Sequence, residues 1–440
     1  MSLDPQPARR GGRAARLLSA VATDITPLRL SRDYRLIWSG NLVSTAGRQI
    51  TIVALPYQVF LLTRSSLAVG AIGLVQLVPL VALSLMGGAI ADQVDRRKLL
   101  VATNCGMAAC SLLLSLGAFG HWATLPYLYA VAACSSAFSA VDQPTRSATI
   151  PNLVPREHLA SAIALNISAF TVTVIVGPAV GGVIVASAGV GTAYLVDVVS
   201  FAAVIAAALA IAPQPPQGSR REPVLRSIRE GLDYTWHQRI VLGGFAADIV
   251  AMAFGMRRAL YPVLATSVYK QGAVALGLLS SAMGVGAMVA SLTAAWVSRS
   301  RMLGRVVVCT VAVWGLTVVA LGLAPSLWWA LAALAVGGAM DSWSAVARST
   351  AMQMVTPDRL RGRVSAVYSM VVVGGPSLGD IESGSVASAF SPEVSIVSGG
   401  LAVLVGIGAV AATNPELWRY RAPVRRPEPL EDAEAAAAEV

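Results

Sequence analysis

Charged side chains are scarce in this sequence. Only 13% of its 440 residues are Asp, Glu, Lys or Arg, whereas 55% are hydrophobic; an ordinary soluble domain carries about 25% charged residues. So little charge excludes a water-soluble protein of this size, and so much apolar content excludes a disordered chain. Histidine and cysteine are also rare, with three and four residues. None has the spacing of a metal or redox site, so we expect no metal.

Long apolar runs recur along nearly the whole chain. One transmembrane helix needs about 20 apolar residues, and these runs are too continuous for the alternating strands of a transmembrane β-barrel. The sequence therefore predicts an all-α integral membrane protein with twelve transmembrane helices. Their predicted ranges are 36–62, 66–91, 99–119, 124–150, 159–188, 190–212, 239–268, 273–297, 305–323, 326–354, 364–390 and 393–413.

The basic residues indicate how these helices are oriented. With both termini in the cytoplasm, and with Arg239 and Arg305 at the inner ends of their spans counted as cytoplasmic, the cytoplasmic segments hold 26 Lys and Arg residues, the external loops two and the spans five. Basic residues concentrate on the cytoplasmic side of membrane proteins, so we expect an even number of spans. The basic clusters alternate with apolar runs instead of forming one face, which argues against nucleic-acid binding.

A polar segment divides the chain into two halves. Residues 213–238 interrupt the apolar pattern, and the helical spacing of Leu225, Ile228, Leu232 and Trp236 predicts an amphipathic helix on the membrane surface. The predicted segments are a cytoplasmic basic N-terminal tail (1–35), a six-helix bundle (36–212), a cytoplasmic linker (213–238), a second six-helix bundle (239–413) and a cytoplasmic C-terminal tail (414–440).

Matching residues recur in the two halves at a nearly constant interval. Arg146 and Arg348 lie 202 positions apart, and the Gly-Pro pairs that begin at Gly177 and Gly375 lie 198 positions apart. Parallel six-helix repeats place a substrate cavity at their interface, where access alternates between the two sides of the membrane. The duplication therefore predicts a 6+6 transporter.

A loop motif follows the second predicted span. Gly88, Asp92, Arg96 and Arg97 match the Gly-x-x-x-Asp-Arg-x-Gly-Arg-Arg signature of the major facilitator superfamily, which the chain resembles over nearly its whole length. Small residues permit close helix approach, and the Asp92 carboxylate suits a nearby cation or a helix N-terminus. We interpret the motif as a latch between the inner ends of the two halves. The alternative is that its basic residues only anchor the topology.

A second motif lies in the predicted span five and is similar to the Gly-Pro-x-x-Gly-Gly signature of the superfamily's antiporters. Proline frees a helix carbonyl and glycine permits tight helix crossing, so the motif predicts a bent helix at the repeat interface. The predicted helix-packing residues are Gly88 of the loop motif, Gly177, Pro178, Gly181 and Gly182, and the repeat positions Gly375, Pro376 and Gly379.

Four further stretches, beginning at Ala54, Leu62, Arg258 and Arg361, resemble the enterobactin (siderophore) exporter and drug efflux group of this superfamily. The resemblance implies a proton-coupled exporter of small organic molecules, with the proton gradient as energy source and no cofactor or enzymatic activity. We expect a monomer. Uptake or uniport of a metabolite is an alternative within transport, and a membrane receptor or enzyme is the alternative from another class. The sequence has no Gly-x-x-x-x-Gly-Lys phosphate loop, which argues against direct ATP drive.

Eleven Asp, Glu and Arg side chains fall inside the predicted spans, beyond the first residue of each span. A charge at a helix centre costs about 2.5–3.5 kcal/mol on insertion scales, so each needs a partner or a function. The candidates for a substrate cavity or for proton coupling are Arg48, Arg258, Asp248, Asp380 and Glu382. The candidates for a cytoplasmic gate or charge relay are Asp142, Arg146, Asp341 and Arg348, together with Asp92, Arg96 and Arg97 of the loop motif.

In the resembled group an acidic residue often follows the glycine that corresponds to Gly47. In this sequence Arg48 stands at that position. It lies roughly 18 Å into its helix, near the midplane. Its charge indicates either an anionic substrate or an ion pair with swapped partners. Asp380 and Glu382 project from different helix faces and form either the coupling site or a structural ion pair. Together with Arg258 and Tyr261, Arg48 suits an anionic or amphipathic aromatic substrate.

Overall fold

The structure is a computed structural model that describes residues 24–215 and 224–422, with the side chains of 85–92 and 224–228 outside the description. All regular structure within the described residues is helical, without strands. Nine described segments are long and apolar enough to cross a membrane. The predicted all-α membrane class is therefore confirmed.

The α-helices are labelled in chain order. In the first half they are α1 (Thr26–Leu30), α2 (Arg32–Thr63), α3 (Ser66–Gln93), α4 (Arg96–Phe119), α5 (Leu125–Leu153) and α6 (Leu159–Ala210). In the second half they are α7 (Val224–His237), α8 (Arg239–Gly255), α9 (Tyr261–Val263), α10 (Gly272–Arg299), α11 (Leu303–Gly322), α12 (Leu327–Val355), α13 (Asp358–Ala389), α14 (Pro392–Thr413) and α15 (Pro415–Arg419).

The long helix α6 contains both predicted spans 159–188 and 190–212. Gly189 interrupts it with φ 81° and ψ 168°, a conformation that is outside the helical range. Glycine adopts a positive φ without the steric cost of a side chain, which explains why the chain breaks at this residue. The boundary predicted at residue 189 therefore coincides with the break.

The predicted span 239–268 is not one continuous helix, and the prediction is wrong on this point. Helix α8 ends at Gly255, and Met256 is extended, with ψ 122°. A 3-10 helix (Arg258–Leu260), α9 and a π-helix follow. Pro262 has no amide hydrogen to donate to a preceding carbonyl, so it contributes to the break.

The chain divides into two compact units. Unit 1 comprises residues up to Ala54 with Val78–Ser219, and unit 2 comprises Leu55–Leu77 with residues from Arg220 onward. The limits fall inside α2 and α3, so both helices contribute to both units. The division into bundles 36–212 and 239–413 stays a prediction.

Apolar side chains from several helices form the core of unit 1. Tyr34 of α2 is buried in it, and its hydroxyl donates to the Ala162 carbonyl at 2.8 Å and accepts from Asn166 Nδ2 at 3.0 Å. Both hydrogen bonds satisfy the one polar group of an otherwise apolar contact. The buried members of this core are Tyr34, Ile37, Leu100, Leu153, Val154, Ala162, Leu165, Ala207, Ala208 and Ile211.

Close helix crossings stabilise unit 2. A side chain at Gly338 of α12 would overlap the Met283 carbonyl of α10, and one at Gly286 of α10 would overlap the Ala335 carbonyl of α12. Small residues of this kind let helix backbones approach, and the resulting van der Waals contacts hold helices together where lipid removes the hydrophobic driving force.

The structure has a helix over Val224–His237 within the predicted linker, and residues 216–223 of that segment lie outside the described residues. The Tyr234 hydroxyl donates to the Val355 carbonyl at 2.7 Å, which holds α7 to the end of α12. Leu232 and Trp236 are exposed. Exposed apolar residues beside charged ones suit a helix that lies on the membrane surface.

Candidate functional site

A closed hydrogen-bond network surrounds Asp142 of α5 in unit 1. The carboxylate is fully buried and accepts from Thr103 Oγ1 at 3.0 Å and Asn104 Nδ2 at 2.8 Å, both on α4. It also forms an ion pair with Arg146, as their spacing of four residues predicts. Three side-chain donors therefore satisfy the buried carboxylate.

Arg146 extends the same network to α2. Its guanidinium donates to Asn41 Oδ1 of α2 and, at 2.9 Å, to Asn104 Oδ1 of α4, in addition to Asp142. One arginine therefore binds one carboxylate and two amides, so its charge is balanced and each of its three nitrogens donates a hydrogen bond. The network connects α2, α4 and α5.

Arg48 of α2 lies near this network but forms no ion pair with the described residues. Its Nη1 lies 3.4 Å from Ser139 Oγ and 3.8 Å from Met107 Sδ. The carboxylate of Asp197, which is also in unit 1, instead accepts from the hydroxyls of Thr51 and Ser111, at 2.8 Å each. Arg48 is therefore a cation within a span, and its described hydrogen-bond contacts are with weak acceptors.

The loop motif holds the inner ends of the helices of unit 1. Asp95 caps α4 by accepting from the Arg97 amide at 2.8 Å, and it also accepts from the Gln214 amide at 3.2 Å. Arg96 Nη1 donates to the Ala148 carbonyl at 2.9 Å, and Arg97 donates to carbonyls at the end of α6. The surroundings of Gly88 and the side chain of Asp92 lie outside the description, so the latch and relay stay predictions.

Two adjacent arginines follow the end of α8 in unit 2 and bind two acids of α13. Arg257 is buried and forms an ion pair with Glu382, while it also donates to the Phe254 carbonyl. Arg258 is 53% exposed, with its Nη2 3.6 Å from Asp380 Oδ2. Asp380 and Glu382 therefore bind different arginines, and both pairs are balanced in charge.

Asp380 also stabilises the break after α8. Its Oδ1 accepts from the Ala259 amide at 3.0 Å, inside the first turn of the 3-10 helix. Free amide groups at a helix start favour a carboxylate. The acid thus compensates for helix hydrogen bonds that the break removes, which explains why a broken helix is tolerated within an apolar span.

A second arginine-centred cluster lies further along unit 2. Arg348 of α12 places its Nη2 at 2.6 Å from Asp248 Oδ1 of α8 and at 3.9 Å from Asp341 Oδ1 of α12. Its Nη1 donates to Ser344 Oγ at 3.2 Å. Two carboxylates therefore surround one guanidinium.

The helix-packing glycines lie at close crossings in both units. In unit 1, side chains at Gly177 and Gly181 of α6 would overlap Gln49 and Ile50 of α2. Pro178 lies between them within the helix, and Pro178 and Gly182 are buried.

The repeat positions pack in the same way in unit 2. Side chains at Gly375 and Gly379 of α13 would overlap the Met252 side chain and carbonyl of α8, and Pro376 lies between them within α13. The glycines of these motifs whose neighbours are described therefore lie at helix contacts within their units, whereas the packing role of Gly88 stays a prediction.

Replacing Gly379 with alanine is expected to destabilise the protein by about 1–3 kcal/mol, because a methyl group meets rigid backbone carbonyls there. Gly374 on the same helix is the matched control, since the nearest atom to a methyl group there, Leu77 Cδ1, would be 4.0 Å away. Thermal unfolding of the purified variants in detergent measures the difference. Equal midpoints for G379A and G374A would contradict this packing.

Sequence reasoning missed the polar partners of the intramembrane ions. Asn41, Asn104 and Thr103 bind Asp142 or Arg146, and Ser344 binds Arg348. Asparagines inside apolar runs are a usable signal, because polar groups in spans need partners. No group of three His, Cys, Asp or Glu side chains suited to a metal occurs among the described residues.

Comparison with known proteins gives matches over nearly the whole chain. Residues 22–429 match the model of the transmembrane secretion effector family of the major facilitator superfamily. The enterobactin exporter EntS of Citrobacter koseri is 27% identical over 406 residues, covering 91% of this chain and 96% of that protein. The enterobactin exporter EntS of Escherichia coli is 25% identical over 403 residues, covering 90% and 95%.

Solved transporters share the fold. The nucleoside transporter NupG has a TM-score of 0.73 at 12% identity, covering 87% of this chain and 99% of its own. A bacterial homologue of the lysosomal transporter Spinster has a TM-score of 0.65 at 14% identity, covering 88% and 95%. Family, relatives and fold neighbours are transporters and not enzymes. The chain therefore belongs to the transmembrane secretion effector family of the major facilitator superfamily and is a multi-pass membrane transporter of small molecules.

Proposed function

We propose that this chain is a proton-coupled exporter of small organic molecules of the siderophore or drug-like class. It works as an antiporter by alternating access, with inward proton movement as its energy source and no other cofactor. The observation that carries the proposal is the set of arginine–acid clusters inside apolar spans, on a chain that matches enterobactin exporters over nine-tenths of its length. Ions are retained in spans where they act on substrates or protons.

The proposal includes twelve spans arranged as two six-helix bundles, with both termini in the cytoplasm and the protein in the bacterial cytoplasmic membrane. The equivalent positions of Arg146 and Arg348 support the duplication, because each forms an arginine-centred cluster in its own unit. The excess of cytoplasmic basic residues supports the orientation. The transporter works as a monomer, since the repeat supplies both bundles within one chain.

Arg48 supports an anionic substrate. It is a guanidinium in a span whose described contacts are a hydroxyl and a thioether, while the neighbouring Asp142 and Asp197 are held by other donors. A charge-assisted hydrogen bond to an anionic oxygen of the substrate would satisfy this guanidinium better than either contact does. Catecholates combine such oxygens with an aromatic ring.

The other charged residues divide into two roles. Arg258, Asp380 and Glu382 line the substrate path of unit 2, where Arg258 and Glu382 are partly exposed. The inner residues form the cytoplasmic gate and charge relay. They are Asp92, Arg96, Arg97, Asp142, Arg146, Asp341 and Arg348.

A secretion assay tests the proposal. Expression of this chain in a bacterium that lacks its own enterobactin exporter is expected to restore enterobactin in the culture medium, measured by chromatography. The G374A variant is a control that is expected to secrete as much as the wild type, because no described atom lies closer than 4.0 Å to a methyl group at that position. Normal membrane expression without any rise in secreted enterobactin or in drug resistance would contradict an exporter of this class.

A further inference from the structure

The arginine clusters of the two units differ in which positions carry an acid. At the repeat interval of 202 residues, Ser344 stands where unit 1 has Asp142, and Asp341 stands where unit 1 has Ser139. The carboxylate and the hydroxyl on this helix have therefore exchanged places about one turn apart. The arginine is the same in both units.

A second acid enters the cluster of unit 2 from α8, which begins the first predicted span of the second half. Asp248 of α8 contacts Arg348, whereas α2 in unit 1 offers Arg146 the neutral amide of Asn41. Arg146 thus binds one carboxylate and amides, but Arg348 faces two carboxylates. Within the cluster around Arg348, one negative charge is left without a counter-charge.

Hydrogen bonding separates the two clusters further. Asp142 accepts hydrogen bonds from three side chains. Arg348 Nη2 lies 2.6 Å from Asp248 Oδ1. Even so, neither oxygen of Asp248 accepts a hydrogen bond of suitable geometry from the described residues. A buried carboxylate without donors is costly. A proton on one of the two acids removes the surplus charge.

The proton has a route to one of the two acids. The Asp341 side chain is 29% exposed, whereas that of Asp248 is 1% exposed. The charged and titratable groups facing the pair come from α12 and α13, namely Arg348 and the Tyr368 hydroxyl, which interacts with Arg348. Asp341 is therefore the acid of the pair that can be reached from outside the protein.

We propose that Asp248 and Asp341 share one exchangeable proton around Arg348 and form the proton-binding site of the charge relay, whereas the cluster of Asp142 and Arg146 in unit 1 pairs one acid with one arginine. The coupling part rests on the proposed function. The pair titrates as a unit, because each acid changes the charge that the other meets. Binding of the proton weakens the hold of Arg348 on the acids and so biases the helices α8 and α12 that carry them.

Infrared difference spectroscopy on the purified full-length chain in lipid, after a pH jump between acidic and neutral buffer, tests the site without any substrate. The wild type is expected to show a buried carboxylic acid carbonyl band that disappears as pH rises. Asp341→Asn and Asp248→Asn are each expected to lose that band. Asp341→Glu is expected to retain a shifted band, because the carboxylate remains.

Glu382→Gln is the matched control, since Glu382 is also an intramembrane acid but has its own arginine, Arg257. Its spectrum is expected to keep the wild-type band. A band that persists in both D341N and D248N, or that is lost in E382Q, overturns the assignment. Absence of the band from wild-type protein overturns it as well. These outcomes do not depend on export, so they are distinguishable from failure of the secretion assay.

Discussion

Replacing Asp142 with alanine is expected to remove most of the folded protein. The change leaves Arg146 in a buried network without its carboxylate, and breaking a buried ion pair costs about 3–5 kcal/mol. That is a large share of the roughly 5–15 kcal/mol that stabilises a typical protein domain. The yield of monodisperse protein after detergent extraction, and the midpoint of its thermal unfolding, measure the loss.

A matched control and a double variant make this test specific. Asp358→Ala removes an acid whose pair with Arg361 is exposed, and such pairs contribute about 0–1 kcal/mol. The double variant D142A/R146A leaves no unpaired buried charge, so we expect it to be more stable than D142A alone. If D142A matches D358A in yield and midpoint, the buried network does not stabilise unit 1.

Replacing Arg48 with alanine is expected to weaken transport of an anionic substrate at least tenfold. A hydrogen bond to a charged group contributes about 1.5–3 kcal/mol, and about 1.4 kcal/mol corresponds to a factor of ten. The effect is expected in KM for enterobactin, because the guanidinium binds the anion. Initial transport rates in membrane vesicles at several enterobactin concentrations measure it.

Arg64→Ala is the matched control for this prediction. Arg64 lies between α2 and α3, outside both helices, so its removal changes net charge equally without touching the span. Arg48→Lys is expected to recover part of the loss, because the charge remains but the planar fork of donors does not. An unchanged KM in R48A would show that Arg48 does not bind the substrate.

Much of the fold follows from apolar run length and glycine placement. Those patterns predict the helices and place a boundary at Gly189, where a positive φ breaks α6. They do not predict the break after Gly255, because its stability depends on Asp380, which comes from a helix more than a hundred positions later. The sequence around the break contains Pro262, but Asp380, which compensates for the lost helix hydrogen bonds, lies far away along the chain.

The ionic clusters show the same limit. The spacing of four residues predicts that Asp142 and Arg146 meet, because both lie on one helix face. By contrast, the pairing of Arg257 with Glu382 and of Arg348 with Asp248 is set by helix packing in unit 2. The charge surplus around Arg348 becomes visible only when α8 and α12 are seen together.

Transport into everted membrane vesicles tests the central claim most directly. Vesicles that contain this chain, energised by respiration so that their interior becomes acidic, are expected to accumulate labelled enterobactin, and a protonophore is expected to release it. Vesicles with D341N are expected to equilibrate the label without accumulating it. Accumulation that persists after the gradient has collapsed, or that requires ATP in its place, would contradict a proton-coupled exporter.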